Sequence, residues 1–563
     1  MKFKDIKYSR PDIKKIDERV ELLLSKMKEC GGAEEERELF LKIVKLQKNF
    51  YTMRELVNIR YSVNTLDEFY GEEIKVMDSL GPEFSKINEK IADSVLASKN
   101  ISEYEKWFGK RFIDMLKLQK KIFSDEVLED LKKEASLESD YQKLLGSAEI
   151  EFRGKKHTIP EMTAYLTGAD RTLRKSAYNE LANYYMGIMD KLDEIYDKLV
   201  KLRDSIAKRL GYENFIKLAY DRLSRTDYDE KDVKVYREQI VKYVVPKAKE
   251  IFEKQRKNLG LDRLFFYDEG VDFKDGAPKP KGTMDEIVKN ARDMYDELSD
   301  ETSKFFRLLL EGELMDLVSK KGKANGGFCT FIEDYHVPFI FANFNGTSGD
   351  IDVLTHEFGH ALQVYSSRFV DIPDQRFPGY EAAEIHSMGM EFITAPYMEK
   401  FFKEDADKFK YHQVKDALTF LPYGALVDHF QHEVYSKVDM TPEERRMKWL
   451  ELEKVYLPWR DYDDSKYNKI GGTWQRQLHI YTAPFYYIDY TLAQVVAFEI
   501  LRRSREDFKA LWKDYLEICK VGGRFTFTEI LKIGNLSNPM IEGNVEKCVE
   551  YVSGYMDKLG ETI

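Results

Sequence analysis

Residues 349–368 read GDIDVLTHEFGHALQVYSSR, and every other assignment along the chain is made relative to this stretch. Val353, Leu354, Ala361, Leu362 and Tyr365 recur at helical steps. Gly349 supplies a bend ahead of them, and Asp350 is placed to cap the first turn. His356 and His360 stand four residues apart, so both imidazoles leave one helix face and can converge on a single cation. Glu357, one step round, can reach a water on that cation rather than the cation itself. This is the His-Glu-x-x-His arrangement of zinc hydrolases. The chain has only nine histidines in 563 residues, so chance produces such a match rarely, on the order of a percent of the time.

Catalytic zinc takes three protein ligands and keeps one position open. Six residues past His360 stands Ser366 rather than a third histidine, and Gln363 replaces the glycine that spacing requires, which excludes the metzincin pattern. Residues 379–392, GYEAAEIHSMGMEF, instead offer Glu381, Glu384 and Glu391 on a second helix. Glu384, Met388 and Glu391 share one face at steps of four and three. We therefore expect Glu384 as the third ligand, with Glu391 accepting a hydrogen bond from a zinc-bound imidazole. Asp352, one turn before His356, is either a similar outer partner or a carboxylate favoured by the helix N-terminus. His386 points elsewhere on the second helix.

The rest of the chain sets the context. Lys and Arg number 89 against 100 Asp and Glu, a net charge of −11. That balance argues against general affinity for nucleic acid or an anionic membrane. The start, MKFKDIKYSRPDIKK, has no apolar core, and the best apolar run, TLAQVVAFEIL, is broken by Gln494 and Glu499, so neither a secretory leader nor a membrane span is expected. Cys30, Cys329, Cys519 and Cys548 form no close pair, so a reducing cytoplasm without structural disulfides is the expectation. Prolines and glycines are scattered, and no fixed-period repeat is visible.

Pattern divides the chain into an N-terminal helical region, 1–145, and a catalytic region, 146–563. The first 140 residues show apolar positions at three- and four-residue steps. SAEIEFRGKKHTI then predicts a hairpin from about Ala148 to Ile159. Helical pattern resumes at DRTLRKSAYN and, after a loop at FYDEGVDFKDGAPKPKG, runs to about Lys320. Between Gly322 and Gly346, aromatic and β-branched residues punctuated by glycine predict two short strands feeding the His-Glu-x-x-His helix. Pro338 suits the start of a strand or an edge strand. An edge strand here, carrying Phe341 and Ala342, would hold an extended peptide by main-chain hydrogen bonds. An ordinary strand paired on both edges is the competing reading. After Arg368 the chain reads as mostly helical.

NFNGTSGDIDVLTHEFGHALQ followed by AAEIHSMGME closely resembles the thimet oligopeptidase and oligoendopeptidase F family of zinc metallopeptidases. The hairpin followed by DRTLRKSAYN is similar to an oligoendopeptidase F feature. The resemblance runs from about Ala148 to the C-terminus; before that the chain matches only in being helical. It favours Glu384 over Glu381 as ligand. It implies a mostly α-helical ellipsoid split by a deep substrate channel, with zinc at the bottom and a small β-sheet beside the zinc-site helix. It also implies that a histidine and tyrosines in KIGGTWQRQLHIYTAPFYYIDYTLAQ contact the substrate carbonyl. These map first onto His479 and Tyr490, then Tyr487, with Tyr481 and Tyr486 left open.

The expected reaction is hydrolysis of short, unstructured oligopeptides through a metal-activated water, with Glu357 as general base and His479 and Tyr490 sharing the oxyanion charge. A dipeptidyl carboxypeptidase and an inactive metal-bound peptide-binding protein are the alternatives. Side-chain preference and oligomeric state are not legible.

Overall fold

The computed structural model describes residues 1–563. Helices hold 72% of them, as the residue pattern implies, and the strands form one two-stranded and one three-stranded sheet. The chain packs into two compact units. One comprises Met1–Gln119, Lys279–Ala406 and Ile500–Leu536; the other comprises Lys120–Pro278, Asp407–Glu499 and Ser537–Ile563. The backbone alternates between them, so residue 145, where the sequence pattern changes, lies inside the second.

In the second unit, helix Leu128–Gly146 leads into the expected hairpin. Strands β1 (Ile150–Phe152) and β2 (Lys155–His157) are antiparallel, with Ile150 opposite His157. Arg153 and Gly154 both adopt positive φ, the two-residue turn that matches strand twist. The 39-residue helix Arg171–Arg209 starts where Asp170 accepts the amide hydrogens of Thr172 and Leu173, a cap worth about 1 kcal/mol. Several buried charges in this unit are ion-paired. Fully buried Arg203 donates to Glu134 (2.6 Å), Glu138 (2.9 Å) and the Tyr435 hydroxyl (3.0 Å). Removing one partner of such a group costs far more than the group's net contribution.

The first unit begins with helices Ile13–Glu29, Ala33–Val63 and Glu68–Leu96. They close around Phe40, Ile43, Phe50 and Phe84, with the Phe50 and Phe84 rings stacked at 3.8 Å. Its sheet holds β3 (Met315–Val318), β4 (Phe328–Ile332) and β5 (Val337–Phe344) in the order β3-β5-β4. The pair β4–β5 is antiparallel and β3–β5 parallel. Strand β3 falls where helical pattern was expected to continue to about Lys320; MDLV is too short for its period to tell strand from helix.

The sheet order also corrects the edge-strand expectation. Phe341 and Ala342 lie on the central strand and are fully buried. Phe341 pairs with Asp316 on one side and Phe328 on the other. The carbonyl of Ala342 accepts the Lys323 ammonium. With ladder partners on both sides, this strand has no hydrogen-bonding edge to offer a peptide. Pro338 sits opposite Phe331, ahead of the first β3 pairing at Ile340, where its missing N–H costs no ladder bond.

Candidate metal centre

Helix Gly349–Ser366, hereafter the ligand helix, follows β5 through a four-residue turn. Asp350 does not cap it. Its buried carboxylate reaches back to accept the amide hydrogens of Asn345 (2.9 Å) and Gly346 (2.7 Å), fixing the turn in which Gly346 adopts φ +85°. The inner face buries Leu354, Phe358, Ala361 and Leu362, with Phe358 stacked on Tyr295 at 3.7 Å. Asp352 remains half-exposed in the first turn.

The second helix, Tyr380–Thr394, crosses the ligand helix at a contact only glycine permits. A Cβ on Gly359 would lie 2.4 Å from the His386 carbonyl oxygen and 2.8 Å from Ser387 Cα. This close approach carries Glu384 to the imidazoles. Glu384 Oε2 lies 3.4 Å from His356 Nε2 and 3.6 Å from His360 Nε2, and it also accepts the Ser387 hydroxyl at 3.0 Å. On the far side of its ring, His356 Nδ1 meets Glu391 Oε1 at 2.7 Å. His386 stays out of this cluster: it is buried, with Nδ1 on the Ala382 carbonyl at 2.8 Å, and burial pushes its pKa down to about 4.

The electrostatics favour a cation. Burial opposes charge on His356, yet its hydrogen bonds to Glu384 and Glu391 hold it well above the ordinary imidazole value. Burial likewise opposes charge on Glu384, but the two histidines hold it well below the carboxylate range. Burial pushes Glu357 up, with His356 and His360 pulling the other way. One ligand atom each from His356, His360 and Glu384 lie within 4.8 Å of one another. Two imidazoles and a carboxylate, with no thiolate, make a donor set that suits a catalytic divalent ion. Beside it, Glu357 Oε2 is buried with no hydrogen-bond partner, which fits a carboxylate reserved for an incoming water.

Sequence reasoning missed how β4 relates to this cluster. A Cβ on Gly327, just ahead of β4, would lie 3.6 Å from Glu357 Oε1, and β4 rather than β5 has a side that pairs with no strand. The Gly326-Gly327 doublet was the available signal. Burial and the Glu357 charge push the Cys329 thiol on β4 well up, which makes a thiolate ligand unfavourable.

In the second unit, His479 lies among Tyr486, Tyr487 and Tyr490, at ring distances of 5.7, 4.9 and 5.9 Å. Tyr481 is buried, stacked on Tyr141 at 3.9 Å with its hydroxyl on the Leu192 carbonyl, so it belongs to the core. A second trio of metal-type donors, Asp272, His412 and Asp416, is an ion-pair chain. His412 bridges the carboxylates through Nδ1 (2.5 Å) and Nε2 (3.3 Å), and the Lys415 ammonium also sits on Asp272.

Residues 164–542 match peptidase family M3, and residues 3–123 match the peptidase M3 N-terminal domain. The chain belongs to peptidase family M3, and the likeness extends into the N-terminal helices, further than the sequence resemblance reached. Oligopeptidase PepF of Bacillus subtilis (strain 168) is 22% identical over 403 residues, 67% of this chain. The match covers 56% of that relative, so the chain spans little more than half of its length. Among solved structures, PZ peptidase A with an inhibitor is 44% identical over the whole of both chains, with a TM-score of 0.92. A provisionally named oligoendopeptidase F from Bacillus anthracis strain Ames is 42% identical over 100% of this chain and 99% of that one, with a TM-score of 0.87.

Proposed function

We propose that this chain is a zinc-dependent endopeptidase of short, unstructured oligopeptides, working in the reducing cytoplasm. The observation that carries the proposal is the convergence of His356, His360 and Glu384 beside the unpartnered Glu357 carboxylate. Family membership and the oligopeptidase relatives support the substrate class, and four cysteines that form no disulfide with one another support the compartment. No helix is long and apolar enough to cross a membrane.

His356, His360 and Glu384 would hold the zinc. When bound, zinc supplies a Lewis acid that polarises the scissile carbonyl and lowers the pKa of a water toward about 7. Glu391 accepts the Nδ1 proton of His356, which fixes the tautomer and keeps Nε2 free as a donor atom. Glu357 takes the proton of the attacking water at Oε2 and returns it to the leaving amine nitrogen. The unpaired side of β4, next to Gly327, receives the extended peptide backbone in place of the β5 position expected from sequence. His479 and Tyr490 donate hydrogen bonds to the oxyanion, and Tyr487 contacts substrate.

Metal analysis combined with peptide hydrolysis by Glu357→Gln tests this reading. The expected result is an unchanged zinc content with turnover reduced to background. Wild-type rates in that variant would remove Glu357 from the mechanism. A C-terminally amidated peptide is expected to be cut internally. Refusal of it alongside cleavage of the free acid would favour the dipeptidyl carboxypeptidase instead.

A further inference from the structure

His479 is useful as an oxyanion donor only if its proton is on the right nitrogen, and two residues outside the family-derived set determine that. Gln477 lies between His479 and Tyr423. The Tyr423 hydroxyl donates to Gln477 Oε1 at 2.8 Å. On the other side, Gln477 Nε2 lies 2.8 Å from His479 Nδ1. An amide nitrogen has hydrogens and no lone pair to offer, so in this pairing Nδ1 accepts and the single proton of the neutral ring resides on Nε2. With the Tyr423 hydroxyl donating to its oxygen end, the amide turns its nitrogen end toward His479. The phenol is itself held edge-on by Tyr487 at 5.9 Å and 89° and lies 6.4 Å from the Trp449 ring. Burial lowers the His479 pKa, which keeps the ring neutral and makes the tautomer decisive. In the opposite tautomer Nε2 would present a lone pair to the oxyanion, turning attraction into repulsion.

We infer that Tyr423 and Gln477 are positioning residues that lock His479 as the Nε2–H tautomer, and so make it a hydrogen-bond donor to the reaction's developing anion. The inference rests on the reading of His479 as an oxyanion contact.

The full-length protein labelled with ¹⁵N-histidine provides the test, with the His479 signals assigned by their loss in His479→Gln. Two-bond ¹H–¹⁵N correlations are expected to show a protonated Nε2 and a bare Nδ1; the reverse pattern overturns the inference. Gln477→Glu replaces the donor with a group that only accepts, so Nδ1 must take a proton and the imidazolium is stabilised. That variant is expected to lose kcat progressively as pH rises, because deprotonation then removes the Nε2 hydrogen. At alkaline pH the loss should reach about 100-fold, the scale of one oxyanion donor, with KM and zinc content unchanged. A Gln477→Glu enzyme whose pH profile matches wild type overturns the inference. Tyr423→Phe, the milder change, is expected to show both tautomers and a several-fold drop in kcat, whereas a pure Nε2–H signal with wild-type kcat counts against the role of Tyr423. If His479→Gln itself keeps wild-type kcat, the oxyanion reading fails, and the labelled spectra still report separately which nitrogen carries the proton.

Discussion

The cluster on the ligand helix and the cluster around His479 are held in place by different forces. In the first unit, charged groups converge because two helix backbones touch at Gly359, and the side chains have little freedom once that contact forms. In the second unit, neutral aromatic groups gather around an imidazole whose orientation depends on side-chain hydrogen bonds through Gln477. The charged cluster is fixed by packing, which fails all at once when volume is added. The neutral cluster is fixed by directional bonds, which can be loosened one at a time. Substitutions of the proposed ligands and of the groups that hold them should therefore act through metal occupancy, and those at His479 and Tyr490 through kcat.

The largest expected effect is Glu384→Ala, which removes a proposed ligand and leaves two imidazoles. Zinc content measured by mass spectrometry and peptide turnover should fall together to background. Retention of both would reassign the third ligand. Gly359→Ala should come next, because a methyl group 2.4 Å from a carbonyl oxygen forces the helices apart at a cost of about 1–3 kcal/mol. Melting temperature and zinc affinity should drop in the same variant, and a loss of stability with intact affinity would break the link drawn between packing and the metal. Tyr490→Phe should lower kcat by about 100-fold with little change in KM; a change confined to KM would make Tyr490 a binding residue. Glu391→Gln should be the mildest, about 10–100-fold in zinc affinity or rate, measured by competition with a chelator. Equal zinc affinity and rate in that variant and wild type would mean that Glu391 contributes nothing to holding His356.

The two clusters were also unequally legible in the sequence. His356 and His360 announce themselves because a helix turns any i, i+4 pair onto one face, and the same rule carried Glu384 and Glu391. Nothing local reveals that Gly359 is the contact point, since the atoms it would strike belong to His386 and Ser387 on another helix. Asp350 looked like a helix cap because capping residues are recognised by position, while the turn behind it supplied two better-placed amides. The central position of Phe341 and Ala342 was hidden because their parallel partner, β3, lies more than twenty residues upstream and carries no strand signature of its own. His479 and its tyrosines were found by resemblance rather than spacing. Gln477 was overlooked because its importance lies in two hydrogen bonds that no periodicity encodes.

The close crossing at Gly359 bears on how the proposed zinc site would form. Its proposed donors come from two helices, so a chain in which these are undocked would lack Glu384 beside the paired imidazoles. Ion capture and tertiary closure then become one linked equilibrium, in which free zinc at a hundred times its dissociation constant would add about 2.7 kcal/mol to the folded state. Chelation should accordingly be felt first as faster amide exchange along Ser387–Gly389, before any change in helix content.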